Sequence, residues 1–376
     1  MRRDLAERLL ANIMDWSDGE KAAECAALEA FAKYKYDEYQ QYAPGLRFLE
    51  SLALWLRQFN TQSERRVAYD FVRRRLVFVS EAEMNHLVEL AFPTILRPQL
   101  VERTSAEIRI PAHRVHTITK SLPYEKHLRR TLVLGLSDGA RTDRFRRANW
   151  REITNEQIWH AYDISSAKAQ NLKEELEKDI AKLNAKGAGD EPKADPLFET
   201  VVLLDDFTAS GTSFLRENGE GGWKGKIDKI LNMLDDDQNG LGALMCPTGV
   251  KVVVVLYIAA PQAIQHLVPL LPKRGFARGD IELHVVHRLG DDQKLTSPRD
   301  DGILGLAGDD AYWDADADDE HARIGGKSFR YGYADCALPV VLSHNAPNNS
   351  IFLLWAEESS SVHGLFPRVS RHRTFG

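Results

Sequence analysis

Two rhythms divide the chain. Over residues 1–105 apolar positions recur every three or four: Leu5, Leu9, Ile13 and Trp16, then Ala27, Leu28 and Phe31, then Leu49, Leu52, Leu56 and Phe59. That spacing is the stripe of helices with one buried face. The arginine-bearing stretch 64–78 continues it. Ser80 with Glu83 spells a capping box that opens a further helix toward Leu90, and Pro93 and Pro98 are expected to break that helix. From Ile108 the rhythm changes to short unbroken apolar runs: 131–136 (TLVLGL), 201–204 (VVLL), 251–258 (KVVVVLYI) and 281–287 (IELHVVH). Runs without polar alternation predict strands buried on both faces of a sheet. Helical patterns lie between them, ending over 125–130 and spanning 155–183, 227–234 and 261–271. Strands alternating with helices predict right-handed crossovers and a mostly parallel sheet.

The expected fold class is therefore α/β, with an all-α region, 1–105, in front of a second domain, 106–376. The dense aromatics between Phe31 and Tyr42 suit a core or a face that docks a partner. Residues 186–196 (KGAGDEPKADP) read as an exposed, mobile loop. The acidic stretch near 291–320 reads as a solvated insertion, since the glycine a calcium-binding loop needs is out of register.

Candidate chemistry gathers at the ends of the first two apolar runs. The run 201–204 leads into Asp205 and Asp206, then the small residues Thr208, Ala209, Ser210, Gly211, Thr212 and Ser213, with Phe214 and Leu215 expected to start a helix. Backbone amides, hydroxyls and a helix N-terminus around one point suit a phosphate dianion, and Gly211 lets the backbone approach it. The two carboxylates suit vicinal ribose hydroxyls, directly or through Mg²⁺. The bland alternative is an acidic turn before an ordinary Ser/Thr cap.

The sequence VVLLDDFTASGTSF over 201–214 resembles the ribose-phosphate fingerprint of type I phosphoribosyltransferases, which bind 5-phosphoribosyl-1-pyrophosphate (PRPP). In that family an upstream strand ends in a loop for pyrophosphate. Ser137, Asp138, Gly139, Ala140 and Arg141 follow the run 131–136 and resemble that loop in position and composition, with Arg144, Arg146 and Arg147 nearby to raise the positive potential. The family often carries a lid between the two motifs, where 186–196 falls. A third turn holds His344, Asn345, Asn348 and Asn349, whose amides suit the edges of a base or other acceptor. Over about 108–356 the chain is similar to phosphoribosyltransferase-like proteins associated with bacterial conflict and antiphage defence. The resemblance implies PRPP or a related nucleotide as substrate, Mg²⁺ as cofactor held by Asp205 and Asp206, catalytic roles for Asp205, Asp206 and Arg141, and an antiphage effector. Purine-salvage members carry another carboxylate where this chain has Ala209, so the acceptor stays unassigned. A nucleotide N-glycosidase and a catalytically silent nucleotide-sensing subunit of a protein or nucleoprotein complex are the alternatives.

Composition narrows this only a little. A net charge of −6 excludes a general nucleic-acid coat. Cys25, Cys246 and Cys336 are too scattered for a zinc cage or a disulfide framework, and no run of about 18 apolar residues predicts a membrane span. With no secretory pattern at the N-terminus, a cytoplasmic protein is expected, open to oligomer formation.

Overall fold

The apolar runs become the middle of a parallel sheet. The computed structural model describes residues 3–161, 166–187, 195–238, 240–318, 320–326, 328–357 and 360–368. Its strands in chain order are β1 (Val77–Val79), β2 (Thr131–Gly135), β3 (Ile158–His160), β4 (Thr200–Thr208) and β5 (Arg216–Glu217). They continue with β6 (Trp223–Lys224), β7 (Val250–Ala259), β8 (Gly279–Arg288) and β9 (Val340–Leu342). The main sheet has five strands in the order β3-β2-β4-β7-β8, all parallel. Leu134 pairs with Leu203 and Leu203 with Val254.

Side-chain alternation then sets the two faces. Leu132, Leu134, Val201, Leu203, Val252 and Val254 share one core cluster with Leu172 and Leu176 of the helix Ser166–Lys186, and with Ile227, Ile230 and Leu234 of the helix Lys226–Asp235. Val133, Val202, Leu204, Val253 and Val255 alternate with them and are also fully buried. Burial on both faces is why the runs carry no polar positions.

Packing divides the chain into two units, one of residues Met1–Glu83 with Gly290–Gly376, the other Met84–Leu289. The boundary expected at 105/106 does not coincide with either. The first unit is closed by its two distant segments: β1 pairs in parallel with β9, Trp55 Nε1 donates to Leu353 O at 2.7 Å, and Ser51 Oγ donates to Leu365 O at 2.7 Å. Phe366 stacks on Phe48 in the same core. The helices before residue 84 therefore bury their apolar stripes against the C-terminal segment. Nor is the acidic stretch 291–320 simply solvated. Ile303 and Leu306 enter that core, and buried Asp300 pairs with Arg75 at 3.0 Å and Arg299 at 2.8 Å.

Other differences have local causes. Ile158, Trp159 and His160 form the edge strand β3 against β2, so the helix expected from 155 begins at Ser166. β-branched and aromatic side chains fit a pleated edge better than a helix. Pro93 and Pro98 do not end their helix. The helical backbone runs on through Phe92–Leu96, a wider π-type turn, into the helix Arg97–Ile108, and such a turn re-pairs the backbone around a proline that lacks an N–H. The capping box at Ser80 forms, with Ser80 N donating to Glu83 Oε2 at 2.8 Å and Glu83 N to Ser80 Oγ at 3.2 Å. Residues 188–194 of the expected lid lie outside the described residues. No helix among the described residues is long and apolar enough to cross a membrane.

Candidate functional site

At the carboxyl end of the sheet β4 and β2 each run into a loop, and the two loops face one another. β4 does not stop at its acids, as the sequence suggested, but continues to Thr208, paired with β7 as far as Ala259. Successive side chains on a continuing strand point to opposite faces. Asp205 and Asp206 are thereby separated instead of forming a pair.

Asp205 turns inward and is wholly buried. Ser137 Oγ donates to its Oδ1, and Lys226 Nζ reaches its Oδ2 at 2.5 Å. Burial first, then the neighbouring Asp206 charge, push its carboxyl up to about 6, against the opposing pull of Lys226 and Ser137. Asp206 is half-buried, and its carboxylate lies against the loop that follows β2. A Cβ added to Gly139 would meet Asp206 Oδ2 at 2.4 Å, so glycine at 139 leaves the space this carboxylate occupies. Asp206 Oδ1 also accepts from Phe207 N at 2.8 Å.

Residues 208–213 form a turn bonded within itself. Gly211 N donates to Thr208 Oγ1 at 3.2 Å and Thr212 N to Ser210 Oγ at 3.4 Å, while the Ser210 and Thr212 hydroxyls lie 3.0 Å apart. Ala209 is buried beside them. The amides of Ser210 and Ser213 have no acceptor among the described residues. Gly211 has φ +78°, and a Cβ there would come within 3.1 Å of Ala263 O and Leu267 Cγ on the helix Pro261–Arg274.

The helix expected at Phe214 is absent. In its place a short hairpin, β5 with β6, intervenes before the helix Lys226–Asp235. Lys226 N nevertheless donates to Ser213 O at 3.0 Å and Ile227 N to Phe214 O at 2.9 Å. The inserted hairpin thus returns a helix N-terminus to the loop. Gly225 permits this close return: it has φ +128°, and a Cβ would sit 2.3 Å from Phe214 O.

The facing loop is a tight turn, Asp138–Ala140, ending at Arg141 in the left-handed region with φ 48°. Tyr257, buried on β7, donates its hydroxyl to Ala140 O at 2.7 Å; burial, Asp205 and Asp206 raise its pKa well above the ordinary value. Arg141 Nη1 donates to Asn85 Oδ1 at 3.4 Å. The neighbouring arginines, expected to raise the positive potential there, are engaged locally, Arg144 with Glu89, Arg146 with Asn155 at 2.6 Å and Arg147 with Asp143 at 4.0 Å.

His344, Asn345, Asn348 and Asn349 belong to the first unit, in the turn after β9. Asn349 Nδ2 donates to Tyr333 O at 3.2 Å, and Asn348 O accepts from Tyr333 N at 2.7 Å. Sequence reading missed Lys226 and Tyr257. Lys226 follows Gly225 in a stretch that reads as a plain glycine-rich loop, and Tyr257 sits inside an apolar run. A cavity of about 270 Å³ lined by Gln99, Arg103, Thr131, Thr200 and Lys251 lies at the amino ends of β2, β4 and β7, away from both loops.

As a donor set for Mg²⁺, the acids fit in part. Asp206 with the oxygens of a bound phosphate is the kind of set the ion takes, whereas Asp205 is committed to Lys226 and Ser137. No group of three or more His, Cys, Asp or Glu that could hold a metal occurs among the described residues. Among comparisons with known proteins, the model of one family, described as PRTase-CE, matches residues 52–368. No curated protein and no solved structure matches the chain.

Proposed function

The chain belongs to the PRTase-CE family, a phosphoribosyltransferase-like family, and from that premise we propose that it binds a 5-phosphorylated ribose, PRPP or a related nucleotide, and breaks the bond at the anomeric carbon. What carries the reading is the pair of facing loops at the carboxyl end of the sheet, the place where open α/β sheets bind ligands. In this reading the 5-phosphate lies on the amides of Ser210 and Ser213 and the hydroxyls of Thr208, Ser210 and Thr212. Asp206 takes a ribose hydroxyl or, with pyrophosphate oxygens, Mg²⁺, which would supply charge neutralisation to the leaving group. Ser137, Asp138, Gly139, Ala140 and Arg141 face the pyrophosphate, with Arg141 as the cation nearest the departing oxygen. The anomeric C–O bond then breaks with oxocarbenium character, the electron pair leaving with pyrophosphate while the acceptor's nucleophilic atom bonds to the anomeric carbon and gives up its proton, favoured by fixed charges and the exclusion of bulk water.

A role as an effector in antiphage defence belongs to the same proposal, as does a partner on the N-terminal helices, where Leu5, Phe31 and Tyr34 stand exposed. One observation favours the second reading, a sensor without turnover: Asp205 is fully buried and paired with Lys226. Mass spectrometry of nucleotide pools after expression separates the two. An enzyme depletes PRPP or a nucleotide and yields pyrophosphate or a free base, and Asp206→Asn abolishes this; unchanged pools together with retained ligand binding make the protein a sensor.

A further inference from the structure

Lys226 stands where three parts of the site meet. Its backbone N–H is bonded to Ser213, the last residue of the phosphate loop. Its ammonium pairs with Asp205, and its side chain remains 31% exposed while that of Asp205 is fully buried. Nζ also lies 4.9 Å from the Phe214 ring centroid, which holds the side chain over the loop. An ammonium has three donors, and the protein bonds described here use one for Asp205. The side chain is therefore anchored at its ammonium by buried Asp205 and partly open to solvent, between the loop after β4 and the strand that bears the acids.

This position resolves an electrostatic difficulty. Lys226 already offsets buried Asp205, but Asp206 is partly exposed, and a dianionic phosphate brought beside it meets repulsion unless a cation intervenes. A divalent ion is one way to supply that charge. We infer that Lys226 is the site's fixed cation, binding the sugar phosphate directly, so that ribose 5-phosphate is held without a metal and Mg²⁺ is needed only for the pyrophosphate of a larger ligand. The inference rests on the proposed ribose-phosphate reading. It also gives the hairpin β5–β6 and Gly225 a purpose, since together they bring this lysine back to the loop.

Calorimetric titration of the full chain with ribose 5-phosphate, in Mg²⁺ and in EDTA, tests it. The wild-type protein is expected to bind equally in both, within about twofold. Lys226→Met is expected to weaken binding in EDTA by about tenfold or more, a loss of about 1.4 kcal/mol, and Lys226→Arg to restore most of it. A loss of fold is recognised separately, because the double variant Asp205→Asn/Lys226→Met removes the buried charge along with its partner; it should melt like the wild type yet still bind weakly. Binding by the wild type only when Mg²⁺ is present, or equal binding by Lys226→Met, overturns the inference and leaves the ribose-phosphate reading standing. Absence of binding of both ribose 5-phosphate and PRPP in either buffer overturns the reading and the inference together.

Discussion

At the residue scale the decisive fact is that one extra turn of pleat separates two adjacent acids. The sequence shows Asp205 and Asp206 side by side, and a strand ending at 204 would let both face one ligand. Because β4 runs on to Thr208, Asp205 becomes a buried group with a raised pKa. The unfolded carboxyl titrates near ~3.9, below the folded value of about 6. The folded state thus holds the proton more tightly, and this contribution to stability is complete below about pH 4 and is lost as pH rises through 6. Asp205→Asn removes that dependence. Urea unfolding at two pH values on either side of the window should show the wild type losing stability relative to Asp205→Asn as pH rises; equal slopes would refute the burial argument. Lys226→Met should raise the Asp205 pKa further, since Lys226 pulls it down, and a carboxyl-carbon NMR titration reads this directly. At Gly211 the positive φ and the close helix make Gly211→Ala costly, about 1–3 kcal/mol, measurable as a shift in denaturant midpoint.

At the element scale the sheet was the most legible part of the sequence. Apolar runs such as KVVVVLYI can satisfy themselves only between two covered faces, and β2, β4, β7 and β8 fall where those runs lie. Elements whose stability comes from a partner distant in sequence were not legible. The three-residue strands β1 and β3 exist because β9 and β2 pair with them, and no local pattern announces that. The same holds for the return of the helix Lys226–Asp235 to the loop after β4, which Gly225 and the intervening hairpin make possible. The base of the sheet carries another such device: buried Glu199 receives Arg103 at 3.0 Å, Arg130 at 2.6 Å and His127, joining the helices Arg97–Ile108 and Leu122–Arg129 to the residue before β4. Glu199→Gln strips the arginines of their counter-charge and should cost about 3–5 kcal/mol. A change under about 1 kcal/mol in chemical denaturation would mean that solvent already screens the cluster.

At the scale of the whole molecule the chain is organised by its ends. Residues before 84 and after 289 share one core, which the sequence could not disclose because each segment taken alone reads as a set of amphipathic helices or a tail. A fragment of residues 1–105 should therefore fail to melt cooperatively in circular dichroism, since Trp55, Ser51 and Phe48 lose Leu353, Leu365 and Phe366; a cooperative transition would show that the helices fold unaided. The candidate site divides in the same way. The two facing loops were legible because glycine, hydroxyls and acids at the ends of apolar runs are a local signature, whereas the bonds of Asn348 and Asn349 to Tyr333 are contacts that only the fold could supply.

The central claim is that a sugar phosphate sits on the loop after β4. Amide NMR spectra of the labelled protein, recorded as ribose 5-phosphate is added, test it most directly. The account predicts saturable downfield shifts of the Ser210 and Ser213 N–H resonances, with smaller changes at Gly139 and Lys226. Shifts confined to other parts of the protein, or spectra that do not change, would contradict it.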